Sequence, residues 1–477
     1  MAFLRIFYWL GAAILLYAAL MALTAFGGLI LGEYTQMRQF GLLALIVGVI
    51  GMIIASIGQN APTHETTRDV LVFLALFWLL IPFFACLPYL SLPNQPGLGR
   101  AYFEAVSAVT TTGASSLNAD DMSKSLLLFR ALLQWSGGCM VATLAVVVLA
   151  ALNLGGTGEH RSGLFILKKG EIFSHLFSIG RLVTLIYSAI AAVCLLFLYL
   201  SGTPLFDAIC LSLSAISTGG LTPRDGLLVH YVSLPGVIIL ALTCLLGAAN
   251  ISILYEVIRK RNRTALFSFF RNVEHRGVLA VIVLMAIFGF LFTGGAHLFT
   301  DLIEAIFMAT TTGFDYHVIG IDMVPAPILI AFCLIGGSAL STAGGIKIIR
   351  ILLLFRHMRT DLDRMVLPMR VMPVKFQGRQ IDDKAFLSIW MYFFGYTLVF
   401  GLGIMALGAA GLDLPYAISA SASALANNGP LLGATYPEFG YADMSGLQLG
   451  VLTIVMLLGR VEVLAAFALL TPSLWRG

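Results

Sequence analysis

The stretch Thr110-Thr111-Thr112-Gly113-Ala114 recurs almost unchanged as Thr310-Thr311-Thr312-Gly313-Phe314. Ile216-Ser217-Thr218-Gly219-Gly220 is a related stretch, and Ala426-Asn427-Asn428-Gly429-Pro430 is a more distant one. Each follows an apolar run of half-helix length and precedes an apolar segment long enough to cross a bilayer. We therefore predict that the four turns form the four walls of one pore, in which backbone carbonyls replace the water around a dehydrated cation.

The composition places the chain in a membrane. Its 477 residues are 59% hydrophobic and only 11% charged, and the mean hydropathy is +0.95. Soluble proteins carry about 25% charged residues. Many apolar segments reach the roughly 20 residues that a spanning helix needs. The fold class expected is an all-α polytopic membrane protein.

The six cysteines lie in apolar segments without a C-x-x-C pair, which favours buried thiols over disulfides or a zinc site.

The basic residues indicate the orientation. Most of the 28 lysines and arginines fall in three stretches, 161–181, 259–276 and 347–384. The positive-inside rule makes these stretches cytoplasmic, together with both termini. Acidic residues concentrate between these stretches, on the outer side, where they would raise the local concentration of cations.

The spacing of the turns divides the chain. The glycines of the four turns are about 100 residues apart, which is typical of an internal repeat. We predict a two-helix N-terminal appendage and four parallel helix–pore-loop–helix repeats around one central pore, with about ten crossings. The predicted boundaries are 1–69 for the appendage and 70–181, 182–276, 277–384 and 385–477 for the repeats. The predicted half-helices are 98–109, 204–216, 297–309 and 413–425.

Two further expectations concern helices within the repeats. We expect single helices over 232–258 and 446–470. Glu104 and Glu304 each precede their glycine by the same interval, and Asp207 and Asp301 share another interval. At the start of a half-helix, such a carboxylate would suit the helix dipole.

The residue types within the turns favour a monovalent cation. No turn contains a carboxylate, the oxygen ligand that hard divalent cations prefer. Glycine permits a positive φ, so that successive carbonyls aim at one axis. A single Thr-Thr-Thr-Gly stretch is equally typical of helix capping or packing, but four copies in matched positions favour a filter.

Two features break the symmetry of the repeats. The third repeat contains Gly336-Gly337-Ser338-Ala339-Leu340-Ser341-Thr342-Ala343-Gly344-Gly345, followed by Ile346 and Lys347. This stretch predicts a broken helix and, below a filter, a gate; a small-residue packing face is the alternative. Arg460 lies inside the last apolar segment. It is expected to meet carbonyls of the glycine-rich stretch or to pair with Glu462, unless it snorkels to the interface.

Together, the four turns, the glycine-rich break and the Gly459-Arg460 pair resemble the membrane subunit of the Trk/Ktr/HKT potassium transporters, over essentially the whole chain. The two extra N-terminal helices favour the Trk branch. The resemblance implies a potassium-selective pore with these ion-contacting residues: Thr111, Thr112, Gly113, Ser217, Thr218, Gly219, Thr311, Thr312, Gly313, Asn427, Asn428 and Gly429. It implies these gating residues: Gly336, Gly337, Gly344, Gly345, Lys347 and Arg460.

The resemblance also implies a location, the bacterial cytoplasmic (inner) membrane, and partners. Members of the family form homodimers and bind a cytoplasmic ring of nucleotide-binding regulatory subunits (TrkA-like), for which the basic loops are the expected contact. Membrane lipids are expected neighbours, K⁺ is the transported ion, and neither a bound cofactor nor nucleic acid is expected. The alternative function is a sodium-coupled or sodium-selective secondary transporter, which would predict ionisable residues at the binding level and inverted repeats. An enzyme is disfavoured, because no clustered metal ligands or nucleophile–base pair stand out in the sequence.

Overall fold

The computed structural model describes residues 3–59, 67–92, 96–151, 172–260, 262–295, 297–317, 323–366, 375–376, 379–380 and 383–461. Within these ranges the regular elements are helices, apart from an antiparallel ribbon of two short strands, β1 (Lys375–Phe376) and β2 (Arg379–Gln380). All six cysteines are buried free thiols.

The first two helices form a tight hairpin. Helix α1 (Phe3–Ile30) packs along α2 (Tyr34–Gly58), and a short turn over 31–33 joins them. A Cβ added at Gly11 would lie 2.7 Å from the Cα of Ala55, so a small residue is what allows the two helices to approach. In the turn, the Glu33 carboxylate accepts hydrogen bonds from Lys124 N (3.0 Å) and Ser125 N (2.9 Å). These are free N–H groups at the start of α5 (Lys124–Ala151), so the hairpin caps that helix.

Four half-helices, each 12 or 13 residues long, fall within about one residue of their predicted bounds. Apolar periodicity and small residues suffice to define them locally, and most of their residues are buried. They are α4 (Leu98–Val109), α7 (Leu205–Ile216), α12 (Leu298–Ala309) and α16 (Leu414–Ala426).

A long apolar helix precedes each half-helix. These helices are α3 (Thr67–Ala85), α6 (Ile172–Leu200), α11 (Val273–Phe292) and α15 (Asp383–Ala409). Helix α6 begins ten residues before the predicted start at 182, so the end of the predicted basic loop is helical. The rest of that loop lies outside the described residues.

The helix expected over 232–258 is broken, and that expectation is wrong. Helices α8 (Leu234–Ala248) and α9 (Ile251–Lys260) meet at 105°. Ala249 is extended (φ −78°, ψ 159°), and the side-chain oxygen of Asn250 accepts from Ser252 N at 3.1 Å. Asparagine in this position satisfies a free N–H at the start of a new helix, which is the local reason for the break. Helix α10 (Arg263–Arg271) then leads into α11.

The predicted break in the third repeat is present. Helices α13 (Ala326–Cys333) and α14 (Ile348–Val366) are separated by a loop, closed by a bridge between Ile335 and Ile346. Gly345 has φ +66°, which interrupts the helix. After α16, the chain continues through α17 (Leu431–Thr435) to α18 (Gly446–Arg460). The predicted continuation of this last helix to residue 470 lies beyond the described residues.

The helix lengths identify a multi-pass membrane protein. Seven described helices are long and apolar enough to span a bilayer, and the bent α8–α9 pair makes eight. The predicted ten also include the interrupted α13–α14 segment and the shorter α18.

Candidate functional site

The four turns begin with the same backbone conformation. Just beyond each half-helix, one residue other than glycine has a positive φ: Thr111 (51°), Thr218 (52°), Thr311 (58°) and Asn427 (50°). The N–H of the following residue bonds back to the half-helix, in the pairs Thr112–Ser107, Gly219–Ser214, Thr312–Phe307 and Asn428–Ser423, at 2.8 to 3.0 Å. Positive φ is uncommon in residues other than glycine and is kept only where surrounding contacts impose it. Because it occurs at the matching position of all four turns, the surrounding structure imposes this conformation on each of them.

This backbone match corrects the register of the second turn. Thr218 takes the position of Thr111, so Gly219 corresponds to Thr112, and Gly220 (φ +78°) corresponds to Gly113 (φ +83°). The sequence analysis aligns Gly219 with Gly113. The signal that finds Gly220 is the alignment of Ser217-Thr218 with Thr110-Thr111. The shared interval of Asp207 and Asp301 disappears in this register.

The four turns touch one another in a closed ring. At each ring glycine, an added Cβ would come closer than van der Waals contact to an atom of the next turn. The meetings are Gly113 with the Gly219 carbonyl, Gly220 with the Thr312 carbonyl, Gly313 with Asn428 Oδ1, and Gly429 with Gly113 and Ala114. Gly429 N also donates to the Thr112 carbonyl at 2.6 Å, which joins the last turn to the first.

The side chains of the turns mainly brace the ring. Thr110 and Thr112 share a hydroxyl hydrogen bond of 2.7 Å, and Thr310 and Thr312 share one of 2.9 Å. Asn427 Nδ2 donates to Thr112 Oγ1 at 2.9 Å. These residues are fully buried, and the hydroxyls are committed to protein partners. The backbone carbonyls are therefore the better candidates for contacting an ion.

Glycines in the helices α5, α8 and α18 support the ring from behind. The sequence analysis did not single them out for this role. A Cβ at Gly137 would overlap the Val109 carbonyl, one at Gly247 the Ile216 carbonyl, and one at Gly459 the Leu425 carbonyl. These carbonyls lie at or one residue before the end of their half-helices. These three half-helices, α4, α7 and α16, thus rest against helix backbone that only glycine leaves open. No local pattern distinguishes such glycines from other helical glycines.

Carboxylates hold the outgoing arms of two turns. Glu104 Oε1 accepts from Ser116 N at 2.6 Å, and its Oε2 accepts from Ser115 Oγ at 3.0 Å. Glu304 Oε1 accepts from His317 N at 3.1 Å. Both glutamates lie in the second turn of their half-helix, so the expectation that they sit at its start is wrong. They fix the chain that leaves the ring, by charge-assisted hydrogen bonds.

The glycine-rich loop packs directly against the ring. Gly344 N donates to Thr311 Oγ1 at 2.8 Å, and its Cα lies so close to the Ala426 carbonyl that a Cβ would overlap it. Lys347 Nζ donates to the carbonyls of Ala343 (2.6 Å) and Ser341 (3.1 Å), which fastens the end of the loop to itself.

Arg460 joins the loop to the first turn. Its guanidinium donates to the Thr342 carbonyl at 2.7 Å, to the Thr110 carbonyl and to Thr111 Oγ1. The side chain is buried, so it faces the interior and meets the glycine-rich stretch, as one of the alternatives predicted. The other expected partner, Glu462, lies outside the described residues.

A small cavity lies against the loop, and three cations line it: Lys347, Arg350 and Arg460. Arg350 also stacks on the Tyr392 ring, 3.8 Å from its centroid. The loop that packs against the neutral ring of turns is thus adjacent to a cavity lined by positively charged side chains.

Comparison with known proteins gives one consistent result. The family model described as TrkH, cation transport protein, matches residues 47–474. The Trk system potassium uptake protein TrkH of Salmonella typhimurium is 30% identical over 479 residues, covering 98% of both chains. The protein of the same name from Escherichia coli K12 is 30% identical over 423 residues, 86% of each.

A solved structure agrees over the full length. The crystal structure of the potassium transporter TrkH from Vibrio parahaemolyticus is similar with a TM-score of 0.88 at 28% identity, and the match covers 100% of both chains. The resemblance to the Trk branch is therefore confirmed, and the family is one of transporters rather than enzymes. The chain belongs to the TrkH family of cation transport proteins.

Proposed function

We propose that the chain takes up K⁺ across the bacterial cytoplasmic membrane through the ring of four turns. The observation that carries the proposal is the closed ring itself. Four segments far apart in sequence form it, and each begins with a residue other than glycine that has a positive φ. The names of the relatives, Trk system potassium uptake proteins, support potassium as the ion.

The chemistry of the ring suits K⁺. The C-terminal ends of the half-helices meet there, and their partial negative charge favours a cation. Neutral carbonyls replace the hydration shell of an ion that is cheap to dehydrate. We assign the contacts to the carbonyls of the twelve residues that the family resemblance implies, with Gly220 added as the ring glycine of the second turn.

The architecture follows from the same ring. We infer four helix–pore-loop–helix repeats, at 70–181, 182–276, 277–384 and 385–477, around one central pore, with the 1–69 hairpin outside them. Irregular backbone at membrane depth is tolerated only where protein buries it or it lines a water-filled path. Counting the interrupted α13–α14 segment and α18, the chain crosses the membrane ten times, with both termini in the cytoplasm.

The glycine-rich loop is the proposed gate. It lies against the ring, Arg460 fastens it there, and cationic groups surround the adjacent cavity. Permeation requires the loop and the Arg460 guanidinium to leave these positions. Gly336, Gly337, Gly344 and Gly345 give the backbone the freedom to do so.

The proposed partners are a second copy of the chain and a cytoplasmic nucleotide-binding regulatory subunit of the TrkA type. The designation of the relatives as parts of a Trk system supports further components. The basic stretches 161–181, 259–276 and 347–384 are the proposed contact for the regulatory subunit.

A sodium-coupled or sodium-selective secondary transporter is less well supported. Such a protein would place ionisable side chains at the binding level, whereas the four turns are neutral.

The test is ion flux through the purified protein in liposomes, K⁺ against Na⁺, for the natural chain and Gly313→Ser. Gly313 has φ +66°, and an added Cβ would lie 2.7 Å from Asn428 Oδ1, so serine should distort the ring. We expect potassium-selective flux that loses discrimination in the variant. Sodium-selective flux, or selectivity that the substitution leaves intact, would refute the proposal.

A further inference from the structure

The glycine-rich loop is attached to the rest of the chain on two sides. Arg460 and Thr311 hold it from the ring. On its other side it contacts the break between α8 and α9. We call α9, α10 and the break Ala249–Asn250 the elbow. Under the proposed orientation, the elbow lies at the cytoplasmic face and carries basic residues at its helix ends, Arg259, Lys260 and Arg271.

Backbone hydrogen bonds join the loop to this break. Ser338 N donates to the Ala248 carbonyl at 3.1 Å, and Ile251 N, the first amide of α9, donates to the Leu340 carbonyl at 3.0 Å. The break leaves these groups without helical partners, and the loop supplies them. The start of α9 therefore cannot move away without losing its bonds to the loop.

Glu274 reinforces this junction from the first turn of α11. Its Oε2 accepts from Ala339 N in the loop at 2.8 Å and from Asn250 Nδ2 in the elbow at 3.4 Å. One carboxylate oxygen thus joins three segments that are distant in sequence. Bonds to a charged acceptor are about twice as strong as neutral ones.

His275 fixes the geometry of the same junction. Its Nε2 accepts from Asn250 N at 3.1 Å, and its Nδ1 lies 2.8 Å from the carbonyl of Phe269 in α10. These partners require the neutral tautomer with hydrogen on Nδ1. The ring of His275 therefore sets the position of Asn250, which in turn meets Glu274.

We propose that Glu274 is a positioning residue for gating: it latches the glycine-rich loop to the elbow, and displacement of the elbow releases the loop. This inference rests on the proposed role of the loop as the gate. A glycine-rich backbone has much conformational freedom to lose, so it stays ordered only while it is held. With the latch broken, the loop keeps its contacts to the ring but loses its side-chain restraint on the elbow side.

The experiment uses the full chain in lipid nanodiscs for hydrogen exchange and in liposomes for K⁺ flux. The variants are Glu274→Ala, which removes both acceptor bonds, and Asn250→Asp. The aspartate retains an oxygen for the Ser252 amide but replaces the donor facing Glu274 with a second negative charge. Glu256→Gln is the control, because Glu256 also lies in the elbow but pairs with Lys260 inside α9, at 3.5 Å.

We expect amide exchange across 336–345 to accelerate about tenfold or more in both variants, since each loses a charge-assisted hydrogen bond. We expect basal K⁺ flux to rise several-fold with unchanged K⁺-over-Na⁺ selectivity, and Glu256→Gln to behave as the natural chain. In Asn250→Asp with Glu274→Gln, the repulsion is gone, so exchange should be slower than in Asn250→Asp alone. A merely structural contact would change the exchange rate without raising the K⁺ flux.

The outcomes separate the two levels of the argument. Exchange in 336–345 that stays at the natural rate in folded Glu274→Ala overturns the latch. Faster exchange without a rise in flux keeps the attachment but overturns the role of the loop as the gate. Equal exchange in Asn250→Asp with and without Glu274→Gln also overturns the latch, and it does so even if Glu274→Ala fails to fold.

Discussion

Thr111, Thr218, Thr311 and Asn427 occupy the left-handed region of backbone space, where a residue with a Cβ costs about 1–2 kcal/mol. The surrounding hydrogen bonds offset this cost, because the amide that follows each of these residues bonds back to its half-helix. The ring therefore depends on contacts that impose an unfavourable conformation. Substitutions that weaken those contacts should affect selectivity before they unfold the chain.

At the second turn, Gly220 and Gly219 are expected to differ in how strongly an added methyl group disturbs the ring. Gly220→Ala would place a methyl group against the Thr312 carbonyl at φ +78°. We expect the K⁺-over-Na⁺ flux ratio to fall by about tenfold or more, equivalent to about 1.4 kcal/mol. In Gly219→Ala the Cβ would meet the Gln134 side chain instead of backbone, and this buried amide, which accepts from Ser214 Oγ at 2.8 Å, must shift. We expect a smaller loss of selectivity than in Gly220→Ala. Flux into liposomes measures the K⁺-over-Na⁺ ratio of both variants. A larger loss of selectivity in Gly219→Ala than in Gly220→Ala would reject the assignment of Gly220 as the ring glycine.

Glu104→Ala tests the brace on the outgoing arm of the first turn. It leaves the buried Ser116 amide without its acceptor, so we expect the free energy of unfolding to fall by about 2–3 kcal/mol. The K⁺ flux should fall with it. Thermal unfolding in detergent measures the first effect. Ser116→Ala, which removes the 3.0 Å hydroxyl bond to Glu104 Oε1 but keeps the Ser116 amide, is the milder control. Equal stability of the Glu104→Ala and natural chains would contradict this role.

At the scale of elements, the half-helices owe their placement to the helices behind them. A half-helix of 12 residues is marginal by itself, since helices below about 12–15 residues gain most of their stability from packing. Gly137, Gly247 and Gly459 let the half-helix backbone approach the neighbouring helix directly. The ring is thus positioned by backbone contact, which leaves little room for adjustment.

Two glycines of α18 test this packing. In Gly459→Ala, the Cβ would lie 2.5 Å from the Leu425 carbonyl, and overpacking of this kind costs about 1–3 kcal/mol. Gly450 has open space around it, so Gly450→Ala should be neutral or stabilise the helix by up to about 1 kcal/mol. Thermal unfolding compares the variants. A Gly459→Ala variant as stable and as selective as Gly450→Ala would argue against support of the fourth half-helix by α18.

At the scale of the molecule, the ring closes only when all four turns are in place, because the last turn bonds to the first through Gly429 and Thr112. An ion held at the ring would therefore be bound by the folded chain alone. Such a ligand stabilises the folded state, by about 2.7 kcal/mol at one hundred times its dissociation constant.

We accordingly expect a higher Tm in KCl than in NaCl of equal ionic strength. The measurement does not depend on an open gate, so it complements flux. Gly220→Ala should lose the difference between the salts, whereas Gly450→Ala should retain it. The same Tm in both salts for the natural chain, at K⁺ concentrations that saturate transport, would speak against an ion site in the ring.

The sequence by itself determined the features that depend on local chemistry. Hydropathy identified the membrane helices, apolar runs ended by Thr-Gly stretches defined the half-helices, and the glycines of 336–345 predicted the break. These three predictions succeed because a bilayer requires long apolar helices and because glycine and turn residues act on their own segment of backbone.

The tertiary structure alone decided the features that depend on residues distant in sequence. Three such features follow from packing. They are the position of Gly220 in the ring, the bonds of Arg460 to the first of the four turns and to the loop, and the contact of Glu104 with Ser116. The break after Ala248 had a local signal in Asn250, but its partners lie in α11 and the loop. Hydropathy carries no information about these contacts between distant segments. Every backbone carbonyl is the same kind of hydrogen-bond acceptor, so the sequence does not show which segment supplies its donor.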